Sequence, residues 1–297
     1  MSKYLIFRTD RIGDFFLSCI LIKSIKRNDH NSHITVVASN KNFEYIRSYT
    51  HIDKVILLKK GFFNKLKIIF ALRNYSFKYT LIHDGKNRSK LINFFLKKKN
   101  TLHFNNKDIS ISHYQKIIKA LDDMGFDFKN HDLNILEDKL VEYNSKENYN
   151  DYLVFHYDEK WSNTNYINTF VNIEPNKSEL IYFLNKIQEL TNLKIIITTG
   201  INTPKILNDI INPLNKDKIS IKKNLAFLEL EKIIINSKLL ISCHGSVSHI
   251  ASALNIKQID IIDKSYHYNI WTKHFRNYNF IYRKDFKKLS DDIYKLI

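Results

Sequence analysis

Glycine and proline are scarce in this chain, six and three among 297 residues. An ordinary composition with glycine near ~7% would hold roughly 20 glycines. That shortage excludes collagen-like, flexible-linker and proline-rich disordered classes. Cysteine is nearly missing as well. Cys19 and Cys243 cannot build a disulfide framework and neither has a CxxC or CxxH neighbour, so two buried thiols in a reducing compartment are expected. No run of ~18 apolar residues is present to span a membrane. The N-terminus offers only Tyr4-Leu-Ile-Phe7 before Arg8, Asp10 and Arg11. That is no signal peptide, and a cytoplasmic location is the expectation. Two chemical signatures are also absent: GxGxxG, the mark of a nicotinamide dehydrogenase, and the GxSxG elbow of a serine hydrolase.

What remains is ample for a core, with 44% hydrophobic and 13% aromatic residues. Length suggests two domains of roughly 150 residues each. The net charge is +17, and it is lopsided: residues 1–149 hold 27 basic and 15 acidic side chains, the remainder 20 and 15. Such an excess suits a surface facing nucleic acid, an acidic membrane leaflet or a phosphorylated glycolipid, or else a solvated lysine-rich surface.

Apolar runs at Lys3–Arg8, His33–Ser39, Val55–Leu58 and Thr80–His83 read as strands between helix-like stretches, of which Asp14–Lys26 is the first. Ser112–Met124 reads as an amphipathic helix stopped by Gly125. From Asp127 to Asp151 the chain turns polar, marking a linker. The pattern then restarts: strands at Tyr152–Tyr157, Lys194–Thr199, Leu239–Ser242 and Ile259–Ile262, helices at Ser178–Leu190, Leu225–Asn236 and Ser246–Leu254. Strands alternating with helices argue for parallel sheets, hence an α/β chain of two Rossmann-like domains with a cleft between them.

Three segments could carry chemistry. Arg8-Thr-Asp-Arg-Ile-Gly-Asp14 follows the first strand, where ligands bind in open α/β sheets. Gly13 permits the close turn, and Asp14 is either a helix cap or a functional carboxylate. Leu240 to Leu254 runs from a strand through small residues into a helix, so the Ser242–His249 turn offers backbone amides and the Ser246 and Ser248 hydroxyls to a diphosphate. His244 and His249 lie five apart with no carboxylate ligand nearby in sequence, which argues against zinc. Val154 to Trp161 opens the second half. Its Lys160 could face a phosphate, Trp161 could wall a pocket or fill the core, and Asp158 and Glu159 read as surface charges.

Together these segments resemble glycosyltransferase family 9, the ADP-heptose:lipopolysaccharide heptosyltransferases. Arg11-Ile-Gly-Asp14 is similar to that family's x-(L/I)-G-D. Phe70-Ala-Leu-Arg73, Tyr79-Thr-Leu-Ile-His-Asp84 and Arg88-Ser89 resemble its LR…YDLVID…RS stretch. Ser112-His113 through Gly125 is similar to its helix before the linker, and Glu229 through Leu254 to its LISxDTGxxHxAAAL signature. The match spans most of the chain in the right order. Departures fall in the second half. His244, Gly245 and Ser246 stand where the family has Asp, Thr and Gly, whereas His249 is retained. The chain after Lys160-Trp161, which resembles K-x-W, is about a dozen residues longer, and the usual Pro-Gly is missing.

The resemblance implies a GT-B fold, with an acceptor domain over 1–140, a nucleotide-sugar domain over 150–297, a linker at about 127–151 and a last helix packing back on the first domain. It implies inverting transfer at an anomeric carbon, with Asp14 as general base and Lys160 plus the Ser242–His249 turn holding the diphosphate. Further substrate contacts are expected from Gly13, His156, Trp161, Thr199, Gly200, His244, Gly245, Ser246, Val247 and His249. No metal or cofactor is required, since donors abound and no DxD motif sits in a supporting context. The implied partners are a nucleotide-sugar donor, ADP-heptose foremost, a lipid-linked glycan acceptor, and the anionic inner face of the cytoplasmic membrane. The chain is expected to be a monomer. Two alternatives stand: a catalytically inactive GT-B protein that binds sugar nucleotides, and a basic nucleic-acid binding protein. The latter lacks a zinc finger, an RNP-type motif or a basic helical array.

Overall fold

The computed structural model describes residues 1–139, 151–162, 170–210 and 217–297. The latter half of the expected linker, 140–150, lies outside the described residues, as does most of the extension after Trp161. The chain divides into two compact units, Met1–Ile135 with Asn269–His274, and Leu136–Tyr268 with Phe275–Ile297.

The first unit is built from β1 (Lys3–Arg8), α1 (Ile12–Asn28), β2 (His33–Ala38), α2 (Phe43–Arg47), β3 (Lys54–Leu57), α3 (Phe62–Leu72), β4 (Ser76–Ile82), α4 (Asn87–Phe94), β5 (Lys97–His103) and α5 (His113–Asp123). Its strands are all parallel, in the order β3-β2-β1-β4-β5. Helices cover both faces of such a sheet, so β1 and β2 are buried almost throughout and read as near-continuous apolar runs. α5 starts at a capping box: the Gln115 amide donates to Ser112 Oγ at 3.2 Å, and the Ser112 amide to Gln115 Oε1 at 2.9 Å. It ends at Gly125, whose φ of 70° suits the residue after a helix. Gly61 leads into α3 with φ 106°, a region closed to most L side chains.

The start of the expected linker is not loose. Asn130–Leu133 forms a 3₁₀ turn, and the fully buried Asp132 accepts from Ser24 Oγ at 2.8 Å and from Arg27 Nη2 at 2.9 Å. A buried carboxylate needs such partners, so this segment is sewn onto α1.

The second unit contains β6 (Tyr152–His156), α6 (Glu159–Ser162), α7 (Lys177–Thr191), β7 (Lys194–Thr198), α8 (Ile206–Ile210), β8 (Ile219–Lys222), α9 (Phe227–Ile235), β9 (Leu239–Cys243), α10 (Ser246–Ala253), β10 (Lys257–Ile262), β11 (Tyr278–Tyr282) and α12 (Phe286–Leu296). Counted within the unit, its parallel sheet has the strand order 3-2-1-4-5-6. The last helix, α12, belongs to the second unit. Phe286, Leu289 and Ile293 sink into the second unit's core, because α12 carries its apolar residues on one face and that core is nearest in the chain. The segment belonging to the first unit is instead α11 (Asn269–Thr272), whose Trp271 ring lies 4.0 Å from the His113 ring of α5.

Three strands were not read from the sequence: β5, β8 and β11. All three are sheet edges. Edge strands are half solvated and tolerate polar residues, as the lysine-rich β5 shows, while β8 and β11 are short runs of four and five residues.

Candidate active site

In each sheet the strand order reverses beside the first strand, between β1 and β4 and between β6 and β9. Loops leaving the carboxyl ends of those strands border the crevice where open α/β sheets bind ligands. The first unit therefore presents Thr9–Arg11 and His83–Lys86, the second Tyr157–Asp158 and His244–Gly245.

At the first crevice, Asp14 occupies the first turn of α1 and its Oδ2 accepts from the Arg11 amide at 3.1 Å. It is thus a cap, as one reading of the sequence held. Burial pushes its carboxyl above the usual range, and the neighbouring Asp10 adds to that, against the opposing pull of Arg8 and Lys86. Arg8 is buried, donating to Ser18 Oγ at 2.7 Å and pairing with Asp10 at 2.8 Å. The loop that carries Asp10 and leads into the helix turn of Asp14 is anchored from α4. Arg88 Nη2 donates to the Thr9 carbonyl at 2.8 Å and to Thr9 Oγ1 at 2.7 Å, while Asp84 accepts from the Thr9 and Ser89 hydroxyls. Arg88, Ser89 and Asp84 carried the resemblance without a role; this network supplies one.

At the second crevice, Lys160 reaches across the loop after β9. Its Nζ donates to the His244 carbonyl at 2.8 Å and the Cys243 carbonyl at 3.2 Å, and pairs with Asp158 at 3.0 Å. Gly245 is explained by that crossing: a Cβ there would lie 2.7 Å from the ammonium. Gly200 is similarly pressed, since a Cβ would strike the Glu159 carboxylate and come within 3.3 Å of Asp158 Cβ. Asp158 is buried rather than a surface charge, as its pairing with Lys160 requires. Arg283, which sequence reading missed, ties the arrangement together by donating to the Lys160 carbonyl at 2.7 Å and the Val171 carbonyl at 2.8 Å.

Asp260 is the other missed residue. Fully buried on β10, it accepts from Ser242 Oγ at 2.8 Å and Ser248 Oγ at 2.7 Å, and pairs with His244 Nδ1 at 2.9 Å. A lone Asp inside Ile259-Asp-Ile-Ile262 was the signal, because a carboxylate in a buried strand needs donors. The Ser248 hydroxyl is consequently committed to Asp260, which corrects its expected place in a diphosphate site. The amides of Ser246 and Val247, at the first two positions of α10, are of the kind that lack intrahelical acceptors. The Val247 side chain itself is buried.

Trp161 is a core residue, which corrects its expected contact with substrate. It is fully buried beside Phe155 and Tyr157, and its indole N–H donates to the His156 carbonyl at 2.9 Å. His156 is buried as well, with Nδ1 2.9 Å from Thr198 Oγ1, and burial pushes its imidazole down to about 4. Thr199 Oγ1 accepts from the Asn224 amide at 3.1 Å, tying down the loop after β8. His249 is buried on α10, its ring 4.9 Å from Phe275 and 5.9 Å from His244. Gly13 lies in the first turn of α1 beside Asp14. Among the described residues, no group of three or more His, Cys, Asp or Glu is arranged to hold a metal ion.

Two consecutive units of Rossmann order, each gathering polar side chains at its strand-order reversal, define an α/β protein of the GT-B class. Solved structures share that fold along the whole chain. The E. coli heptosyltransferase WaaC with ADP superposes with a TM-score of 0.73 at 9% identity, covering 99% of this chain and 100% of that one. A glycosyl transferase family 9 protein from Veillonella parvula gives 0.69 at 11% identity, covering 100% and 93%. The UDP-GlcNAc 2-epimerase from Methanocaldococcus jannaschii gives 0.59 at 13% identity, covering 100% and 92%. At such identities the likeness is one of fold. No protein-family model matches the chain, and no curated protein matches its sequence.

Proposed function

We propose that this chain is an inverting glycosyltransferase. It moves a sugar, heptose or a relative, from a nucleoside-diphosphate donor to a lipid-linked acceptor of a surface glycan, at the inner face of the cytoplasmic membrane. The acceptor side is assigned to the first unit and the donor side to the second. The acceptor hydroxyl attacks the anomeric carbon and its proton passes to the Asp14 carboxylate. The bond from that carbon to the diphosphate oxygen breaks, and the nucleoside diphosphate leaves with the electron pair. Lys160 and the amides heading α10 balance the charge that develops on it, and no step is routed through a metal.

One observation carries this reading. The carboxylate raised by burial and the lysine folded over a glycine turn each sit at the strand-order reversal of a sheet. The fold shared with a heptosyltransferase whose structure holds ADP supports an ADP-sugar as donor. A second reading, binding of sugar nucleotides without transfer, rests on His244. It stands where the resemblance expects Asp and is paired with Asp260.

A thermal-shift screen against ADP-, GDP-, UDP- and CMP-sugars tests both. A ligand at 100 times its Kd stabilises by about 2.7 kcal/mol, which reads as several degrees. Stabilisation by a diphosphate sugar, followed by release of its nucleotide on adding lipid-linked acceptor, is expected. Stabilisation without any transfer or hydrolysis favours the second reading, and no stabilisation by any of the four defeats both.

A further inference from the structure

Among the described residues, no helix is long and apolar enough to cross a membrane, yet one face of the first unit is unusually apolar for a surface. α3 and α4 pack side by side on the same face of the sheet, burying Ile68, Leu72, Ile92 and Leu96 beneath them. Their outward sides expose Phe62, Phe63, Phe70, Leu91, Phe94 and Phe95, with Phe63 77% and Phe94 75% accessible. Single exposed apolar residues are ordinary, but six on two adjacent helices are not. The spacing repeats on both: Phe63, Lys67 and Phe70 stand at i, i+4 and i+7 on α3, and Asn87, Lys90, Leu91 and Phe94 at i, i+3, i+4 and i+7 on α4, so each helix carries a lysine within its outward stripe.

Charge says what covers this face. Residues 54–107 hold fourteen Lys or Arg against a single acidic residue, Asp84, and that one is buried. Lys59, Lys60, Lys67, Lys90, Lys97 and Lys99 are all exposed. A second copy of this chain would set like charge against like. Duplex nucleic acid would match the charge but keeps its base faces stacked away from these six side chains, and binding of single-stranded DNA in place of vesicles would count against a lipid surface.

The structure assigns the outer face of α3 and α4 as a docking surface for an anionic lipid bilayer, with the phenylalanines entering the headgroup boundary and the lysines meeting the lipid phosphates. Helices with Lys on a polar surround and Phe or Leu between them lie in the interface in this way. The assignment deepens the reading above and rests on it only for what is reached. α4 is also the helix whose Arg88 and Ser89 hold Thr9 and Asp84, and Thr9 opens the loop that leads to Asp14.

Flotation of the full-length chain with vesicles of phosphatidylcholine, with and without phosphatidylglycerol, tests this. Binding is expected only with the anionic lipid and is expected to weaken with salt. Lys59→Gln, Lys60→Gln and Lys67→Gln together should lower it by about 100-fold, at roughly fivefold per lysine near the surface. Phe63→Ser with Phe94→Ser should abolish binding that persists at raised salt. Both variants alter exposed positions only, and unchanged stabilisation by a nucleotide sugar would show that their folds are intact. No binding by the parent chain, or equal binding by the Phe63→Ser/Phe94→Ser variant, overturns the assignment. So does a parent dimer that these substitutions split. Failure of the transferase reading shows separately, as absence of nucleotide-sugar stabilisation in a protein that still floats.

Discussion

Replacing Asp14 by Asn and, separately, by Ala divides its two jobs. As a cap, Asp14 accepts from the Arg11 amide through Oδ2 at 3.1 Å. Alanine removes that acceptor, for a loss of about 1 kcal/mol, the usual size for a helix N-terminal cap. In a unit of this size that lowers Tm by roughly 2–4 °C. Asparagine keeps an oxygen in place and removes only the charge. The folded-state pKa of Asp14 is raised by burial, so the ionised carboxyl is a burden at neutral pH, and any stability it lends is present at low pH and lost as pH rises through its folded pKa. Asp14→Asn is thus expected to melt no lower than the parent at neutral pH. As a base, the carboxylate contributes on the order of 10²–10⁴ in rate, and both variants should lose that factor. The parent's kcat should also rise with pH on an acid limb lying above the ordinary carboxylate range, because the base acts only when deprotonated. Nucleotide release with acceptor present, followed across pH alongside differential scanning calorimetry, reads both effects. Full turnover in Asp14→Asn would refute the base. A rate loss in Asp14→Ala alone, matched by its melting, would leave Asp14 a cap and nothing more.

Gly245→Ala probes Lys160 without touching it. The backbone at Gly245 is extended, with φ −179°, so any residue fits, but the added methyl would sit 2.7 Å from the Lys160 ammonium and displace it. Binding of ADP, measured by calorimetry, should weaken at least about tenfold, the equivalent of one charged hydrogen bond, with little change in Tm; parent-like affinity both here and in Lys160→Met would clear Lys160 of any part in donor binding. Acid should weaken the fold through its buried histidines. Burial holds His113 and His156 neutral, each pushed from 6.5 down to about 4, so stability is lost as pH falls through that window. About 3 kcal/mol is at stake per histidine. Urea midpoints at pH 6.5 and pH 4 should differ accordingly, and His156→Gln should shrink the difference; equal midpoints would contradict the burial argument.

Local chemistry in the sequence settled a good deal. Strands buried on both faces, such as Tyr4–Phe7 and Leu239–Cys243, announce themselves as near-continuous apolar runs. Ser112 and Gln115 mark a helix start, and scarce glycines mark turns, because both act within a few residues. Asp14 could be named from its loop, although whether it capped or reacted could not.

The rest needed the chain to be folded. Lys160 meets carbonyls 83 and 84 positions away, Arg283 meets the Lys160 carbonyl across 123, and His244 meets Asp260 across 16. None leaves a local pattern, since each partner satisfies the other through space alone. Trp161 could wall a pocket or fill a core by composition, and only packing against Phe155 and Tyr157 decided for the core. The lysine-rich edge strand β5 is a strand because its neighbour β4 offers it hydrogen bonds, not because its side chains demand it. Sequence therefore determined the elements and the loops on which chemistry could sit. Tertiary structure decided which charges face each other there, because a buried carboxylate or ammonium is defined by partners that sequence distance hides.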